Sequence, residues 1–323
     1  MLELSFNGES DESPLQSGLI NSTSAAHGAY SRHTERALRA DTAVFSAWCL
    51  EHGLAALPAA PATVAAFIDG MGALRRSATI RRYVSSIATL HRAADLPSPT
   101  SAESVRLALR RLHRERGRRQ NQAEGLTSDL RHRLIGGCVA SPQLIAQRDA
   151  ALVALCYDAC LRRSELVALT VADFSIAADG SATVLVGKSK TDPEGRGSTR
   201  FLAPDTVSLI SAWLTVTGIV QGFLIRSVDR HGRVGSALEA GGVSRILKRL
   251  GRDAGLSADQ VKRLSGHSPR VGVAQDMVAA GVELPAIMQA GGWRSPEMVS
   301  RYTERLAVRR GGSARLAVAQ GRY

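Results

Sequence analysis

The stretch LSGHSPRVGVAQDMVAAGVELPAIMQAGGWRSPEMVSRYTERL, Leu264–Leu306, decides how the rest of the 323-residue chain is read. Ser268 stands where a helix N-cap belongs, Pro269 fits the first helical position and Gly281 supplies a stop. A helix of about three turns is therefore expected to begin beside His267 and Arg270. Ser295-Pro296 repeats the start signal and predicts a second helix with Tyr302 near its middle. Free backbone N–H groups and the helix dipole make the amino end of the first helix a place for phosphate. Two short helices and their turns should thus bring a phosphate site close to a tyrosine hydroxyl.

The composition fits an anionic partner. The formal net charge is +12, and of 41 basic residues only Lys188, Lys190, Lys248 and Lys262 are lysines. In so arginine-rich a chain, a retained lysine raises the question of whether an amine able to lose its proton is needed there. Aromatic residues make up 4% of the chain, so aliphatic side chains must fill the core. The four cysteines, Cys49, Cys138, Cys156 and Cys160, show no framework spacing and are expected as reduced, buried thiols. Cys156 and Cys160 lie four apart on one predicted helix, but no His or third Cys shares their motif, so no metal site is expected. No secretory leader is evident, and the longest apolar stretch is broken by Pro58 and Pro61, which excludes a membrane span. A soluble, intracellular protein is expected.

Upstream of the opening stretch, residues 1–31 are rich in Ser, Gly, Asn and acidic residues and are expected as a disordered tail. Apolar spacings of three and four then predict helices from Thr34 to Leu50, Ala62 to Met71, Ala78 to Ala94 and Ala102 to Arg116. These form an all-α bundle over residues 32–117. Arg75, Arg76, Arg81 and Arg82 cluster at the start of the third helix; Arg110, Arg111, Arg114, Arg116, Arg118 and Arg119 close the fourth. With almost no acidic residue balancing them, these clusters read as phosphate-tracking faces.

Residues 118–125, RRQNQAEG, read as a linker, and 126–323 as a second, α+β domain. It is mostly helical with a small antiparallel sheet. Helices are expected over Thr127–Gly136, from Ser141 or Pro142 onward, and over Asp205–Thr217, Gly242–Gly255 and Ala258–Leu264. Strand signals fall only at Ala182–Val186 and Thr199–Leu202, around a hairpin tip, GKSKTDPEGRG, that carries Lys188 and Lys190. Arg162, Arg163 and Glu165 interrupt an apolar helix pair, as a buried ion pair or a site would. A tail helix is expected at 313–320.

These residue types together suit phosphoryl transfer. Guanidinium forks match the non-bridging oxygens of a five-coordinate phosphorus, so Arg162 and Arg270 would clamp them. Tyr302, with an ordinary pKa of about 10, needs a base or a positive field to attack at neutral pH, and His267 can take its proton. Lys190 can protonate a departing sugar oxygen, and Trp293 can donate one indole N–H. Neither metal nor cofactor is required.

In order and spacing these residues resemble the tyrosine recombinases. The likeness covers roughly Thr34 to the C-terminus and is carried by LSGHSPRVGVAQDMVAAGVELPAIMQAGGW, AWCLEHG, SSIATLHRAADLPSPTS and ALCYDACLRRSELVAL. It implies Arg162, Lys190, His267, Arg270, Trp293 and Tyr302 as the catalytic set, and Glu165 as the acid that orients the histidine. Arg163 and Lys188 are the neighbours that compete with Arg162 and Lys190. It further implies a site-specific recombinase that forms a 3′-phosphotyrosine, acts on double-stranded DNA target sites as a homotetramer, and exchanges its C-terminal helix between protomers. Two other readings use the same basic surface: a DNA-binding protein without catalysis, and a type IB topoisomerase that relaxes DNA without exchanging partners.

Overall fold

The computed structural model describes residues 30–119, 121–187 and 197–322. It divides into two compact units, Met1–Asn121 and Gln122–Tyr323. The expected tail lies outside the described residues up to position 29, as do Lys188 and Lys190.

The first unit is built from α1 (Arg32–Glu51), α2 (Pro61–Gly72), α3 (Ser77–Ala93) and α4 (Glu103–Arg116). Ser31 starts α1 by accepting the Thr34 N–H, Pro61 starts α2 where an N–H has no partner to lose, and Gly117, at φ 69°, ends α4. Apolar residues at helical spacing converge: Phe45, Val64, Phe67, Ile68, Ile80, Ile87 and Val105 are all fully buried. Each contributes about 1.5–3 kcal/mol by leaving water. Phe45 meets Phe67 edge-on at 5.1 Å.

Charge balance here differs from the sequence expectation. Arg82 on α3 donates twice to Asp41 on α1, at 2.9 and 2.8 Å, and Ser86 adds a third bond to the same carboxylate, which is 1% exposed. Arg111 on α4 pairs with Asp69 on α2 at 2.6 Å, and Arg106 pairs with Glu103 at 2.8 Å. The balancing carboxylates come mostly from other helices, so counting charges along one segment missed them. Arg75, Arg76, Arg81, Arg110, Arg114, Arg118 and Arg119 are exposed, as are Arg82 and Arg111. His113 sits beside Arg110, Arg111, Arg114 and Arg118, and burial together with the charges of Arg118 and Arg81 lowers its pKa.

The second unit contains α5 (Ser128–Val139), α6 (Leu144–Asp158), α7 (Arg163–Ala168), β1 (Phe174–Ile176), β2 (Ala182–Val186), β3 (Ser198–Leu202), α8 (Pro204–Thr217), α9 (Ala240–Asp253), α10 (Ala258–Arg263), α11 (Ser268–Ala279), α12 (Leu284–Gly291), α13 (Pro296–Arg310) and α14 (Gly312–Ala319). The chain is mainly helical with one small antiparallel sheet in the order β1-β2-β3. The middle of α6, from Ala150 to Cys156, is buried on every side and forms the centre of the core. Ala182, Val184 and Val186 alternate inward along β2 to meet that core. Trp213 on α8 is fully buried, with its indole N–H donating to the Leu224 carbonyl at 3.0 Å.

Two elements depart from the expectation. Strand β1 carried no sequence signal, because three residues are too few to show alternation. The opening stretch folds as three helices rather than two, the addition being α12, which begins with Pro285 in its first turn and ends at Gly292 in the left-handed region, φ 59°. Its eight residues fell below the length at which periodicity speaks. The N-cap of α11 is His267, with Ser268 the first helical residue; the Ser268 hydroxyl instead accepts the Ser265 N–H at 2.9 Å. Among the described residues no helix is long and apolar enough to cross a membrane.

Candidate active site

Four elements of the second unit meet around Tyr302. Helix α13 buries Val299, Tyr302 and Thr303 on one face, which leaves the tyrosine 4% exposed. Two glutamines, Gln122 at 2.7 Å and Gln275 at 3.1 Å, donate side-chain N–H groups to the Tyr302 backbone carbonyl and fix that turn of the helix. The phenol oxygen lies 2.6 Å from Nε2 of His267, with the rings edge-on at 5.2 Å. The His267 N–H donates to the Ser265 hydroxyl at 3.2 Å, which fixes the imidazole's backbone at the amino end of α11.

The charges favour a neutral imidazole. Burial of the ring first, then the positive charges of Arg270 and Arg162, lower the His267 pKa from 6.5 to about 4, although the residue as a whole is exposed. Burial raises the Tyr302 pKa above its ordinary value, while Arg270 and Trp293 act in the opposite sense. At neutral pH the pair is thus a phenol facing a neutral imidazole.

Arg270 is 2% exposed, and its Nη1 donates to the carbonyls of Cys160 at 2.6 Å and Gly291 at 2.9 Å. Its guanidinium carbon lies 4.7 Å from the centroid of the Trp293 ring. Among the described residues no carboxylate pairs with it, and neither its Nε nor Nε1 of Trp293 reaches a partner at good hydrogen-bond geometry, although both side chains interact favourably with the ionised Tyr302 oxygen. Leaving a cation and a donor this way costs several kcal/mol unless an anion completes them. The Gly291-Gly292 pair makes the arrangement possible: a side chain on Gly291 would overlap the Trp293 ring.

Arg162 is the N-cap of α7. Its backbone N–H donates to Oε2 of Glu165 at 2.8 Å and its Nη1 to Oε1 at 2.6 Å. Both oxygens of Glu165, 7% exposed, are thus committed to Arg162, and the hydrogen bonds described for this carboxylate reach the arginine rather than His267. This choice separates Arg162 from its neighbour Arg163, which packs its stem against Gly266. Arg162, Glu165, His267, Arg270, Trp293 and Tyr302 therefore come together, whereas the arginines predicted to bind DNA lie in the first unit. Sequence spacing missed Arg200 on β3, which also reaches the cluster, and the glutamines behind Tyr302. A lone arginine in a strand carries no motif, though its place on the inward side of the alternation was readable. Among the described residues no group of three or more His, Cys, Asp or Glu is arranged to hold a metal.

Residues 124–308 match the profile of the Phage integrase family, and the chain belongs to that family, the tyrosine recombinases. Its enzyme class is therefore that of the tyrosine-type site-specific recombinases. It is 28% identical to the Cre recombinase of Escherichia phage P1 over 303 residues, covering 89% of this chain and 88% of that protein. It is also 28% identical to an integrase/recombinase, a XerD homologue of Selenomonas ruminantium, over 282 residues, covering 84% and 81%. The fold is similar to that of a lambda integrase tetramer bound to a Holliday junction, with a TM-score of 0.58 at 17% identity over 90% of this chain and 78% of the other.

Proposed function

We propose that this chain cleaves and rejoins DNA at specific sites through a covalent 3′-phosphotyrosine formed by Tyr302, and exchanges strands between two such sites. The observation that carries the reading is the 2.6 Å contact between Tyr302 Oη and His267 Nε2 beside a buried arginine that pairs with no carboxylate among the described residues. In the forward step the phenol oxygen attacks the scissile phosphorus, the P–O5′ bond breaks, and the phenol proton passes to His267. Arg162, held by Glu165, and Arg270 bind the non-bridging oxygens as charge grows on them. Trp293 offers its unpartnered N–H to the same group. Lys190, assigned from the family resemblance, donates the proton that the departing O5′ requires.

The phosphodiester energy stays in the tyrosine ester, so the freed 5′-hydroxyl of a partner duplex can reverse the reaction without ATP. Arrival of the phosphate offsets the positive charges of Arg162 and Arg270, which raises the proton affinity of His267 when a base is needed. The first unit, with its linker over 118–125, would bind the DNA backbone through Arg75, Arg76, Arg81, Arg82, Arg110, Arg111, Arg114, Arg118 and Arg119. Four protomers would hold two sites, as four hold a junction in the lambda integrase structure, and α14 would be donated to a neighbour.

The test is a duplex selected for binding from a random pool and given a nick beside the cleavage point, so that the released strand diffuses away. A protein–DNA adduct resistant to denaturation is expected from the wild type. Its absence, or its persistence in Tyr302→Phe, would sink the mechanism.

A further inference from the structure

Strand β3 is laid against its own chemistry. Ser198, Arg200 and Leu202 face inward, while Thr199 and Phe201 face outward, with Phe201 62% exposed. Arg200 stands across from Val184, a fully buried residue of β2. A strand packed only for stability would turn the phenylalanine in and the arginine out, and a one-residue change of register would achieve that.

Arg200 has little local reason for its place. Among the described residues no carboxylate pairs with it. One of its five N–H groups, on Nη1, donates to the Gln289 carbonyl at 3.1 Å. That carbonyl belongs to the same end of α12 whose Gly291 carbonyl accepts from Arg270. The next residue, Gly292, must lack a side chain for two reasons: its φ is 59°, and a Cβ would collide with Nη2 of Arg200. The guanidinium is thus pressed into the turn that carries Trp293. Burial and the neighbouring cations Arg270 and Arg162 weaken its hold on its proton, and only Cys160 and Glu165 act in the other direction.

We propose that Arg200 is a third guanidinium of the scissile-phosphate site, placed on the inward face of β3 so that Nη2 and Nε, which have no hydrogen-bond partner among the described residues, can bind a non-bridging oxygen. This rests on the phosphotyrosine mechanism above. Among the described residues Arg162, Arg200 and Arg270 face one carboxylate, Glu165, and both of its oxygens already serve Arg162. A surplus of positive charge favours the dianionic five-coordinate transition state over the singly charged ground-state diester. The competing role is purely local: capping the last carbonyls of α12 and holding the turn in place.

The two roles separate when the charge of the substrate is removed. The full-length protein is given the nicked duplex in two forms, one with an ordinary phosphate and one with an uncharged methylphosphonate at the scissile position, and adduct formation is timed in a single turnover. Arg200→Ala is expected to slow the reaction on phosphate by about 10²-fold, the scale for losing one donor to a developing oxyanion, and to slow the methylphosphonate reaction much less. Because the comparison is a ratio within one variant, a reduced active fraction cancels. Should Arg200→Ala not fold, Arg200→Lys keeps a cation without the fork and should shift the same ratio by a smaller factor. An equal loss on both substrates in whichever variant folds overturns the proposal and leaves Arg200 a cap. A wild type that forms no adduct on phosphate overturns the underlying mechanism instead.

Discussion

Nε2 of His267 stands 2.6 Å from the phenol oxygen of Tyr302, although the two residues are 35 positions apart and start from different helices. The contact depends on α11 beginning at His267 and on α13 burying Tyr302. Tyr302→Phe should abolish adduct formation and leave DNA affinity unaltered. His267→Gln should slow adduct formation by roughly 10²–10⁴-fold, the usual range for losing a positioned acid–base group. Quenched single-turnover cleavage with parallel binding titrations measures both, and a His267→Gln rate equal to wild type would remove the histidine from the mechanism.

Stability should depend on pH through the same histidine. Its folded pKa, about 4, lies below the unfolded value of 6.5, so between these values the unfolded chain holds more protons than the folded one. The stabilisation from a neutral His267 is complete above pH 6.5 and is lost as the pH falls toward 4. Melting temperatures of the DNA-free protein should fall over this window, and fall less steeply in His267→Gln. Matching slopes for the two proteins would contradict the shift.

The arginines of the first unit should divide into two kinds. Arg82→Ala strands Asp41, which is 1% exposed, with Ser86 alone, and should destabilise the unit by about 3 kcal/mol. Asp41→Asn should cost less, because Arg82 is 57% exposed and can return to water. Arg81→Ala and Arg114→Ala should leave urea stability unchanged while reducing the slope of log K against log salt by about 1 each. Urea melts and salt-dependent binding read the two effects separately.

Gly291→Ala tests the seat of the tryptophan. The added methyl meets the Trp293 ring, so the indole must leave its place beside Arg270 at a cost of about 1–3 kcal/mol. Adduct formation should fall with it. Trp293 fluorescence is the direct readout against the signals of Trp48 and Trp213, and an unshifted spectrum would refute the crowding.

Much of this protein follows from its sequence alone. Helix starts at Ser31, Pro61 and Pro296, the stop at Gly117 and the strands around residues 182 and 200 are local matters, set by which residues cap, lock φ or alternate. The residue types gathered at the candidate site were legible because phosphoryl-transfer chemistry restricts them and the resemblance supplies their order. Elements too short to repeat a period, β1 and α12, were not. Nor was anything that depends on two distant segments sharing space: Asp41 neutralising Arg82, both Glu165 oxygens committed to Arg162, Gln122 and Gln275 holding one carbonyl, Arg200 turned inward. A hydrogen bond or ion pair needs a few tenths of an ångström of placement, and only the packed core supplies that. The sequence determined which groups are present; tertiary structure decided which are paired and which are left facing the place where a phosphate would sit.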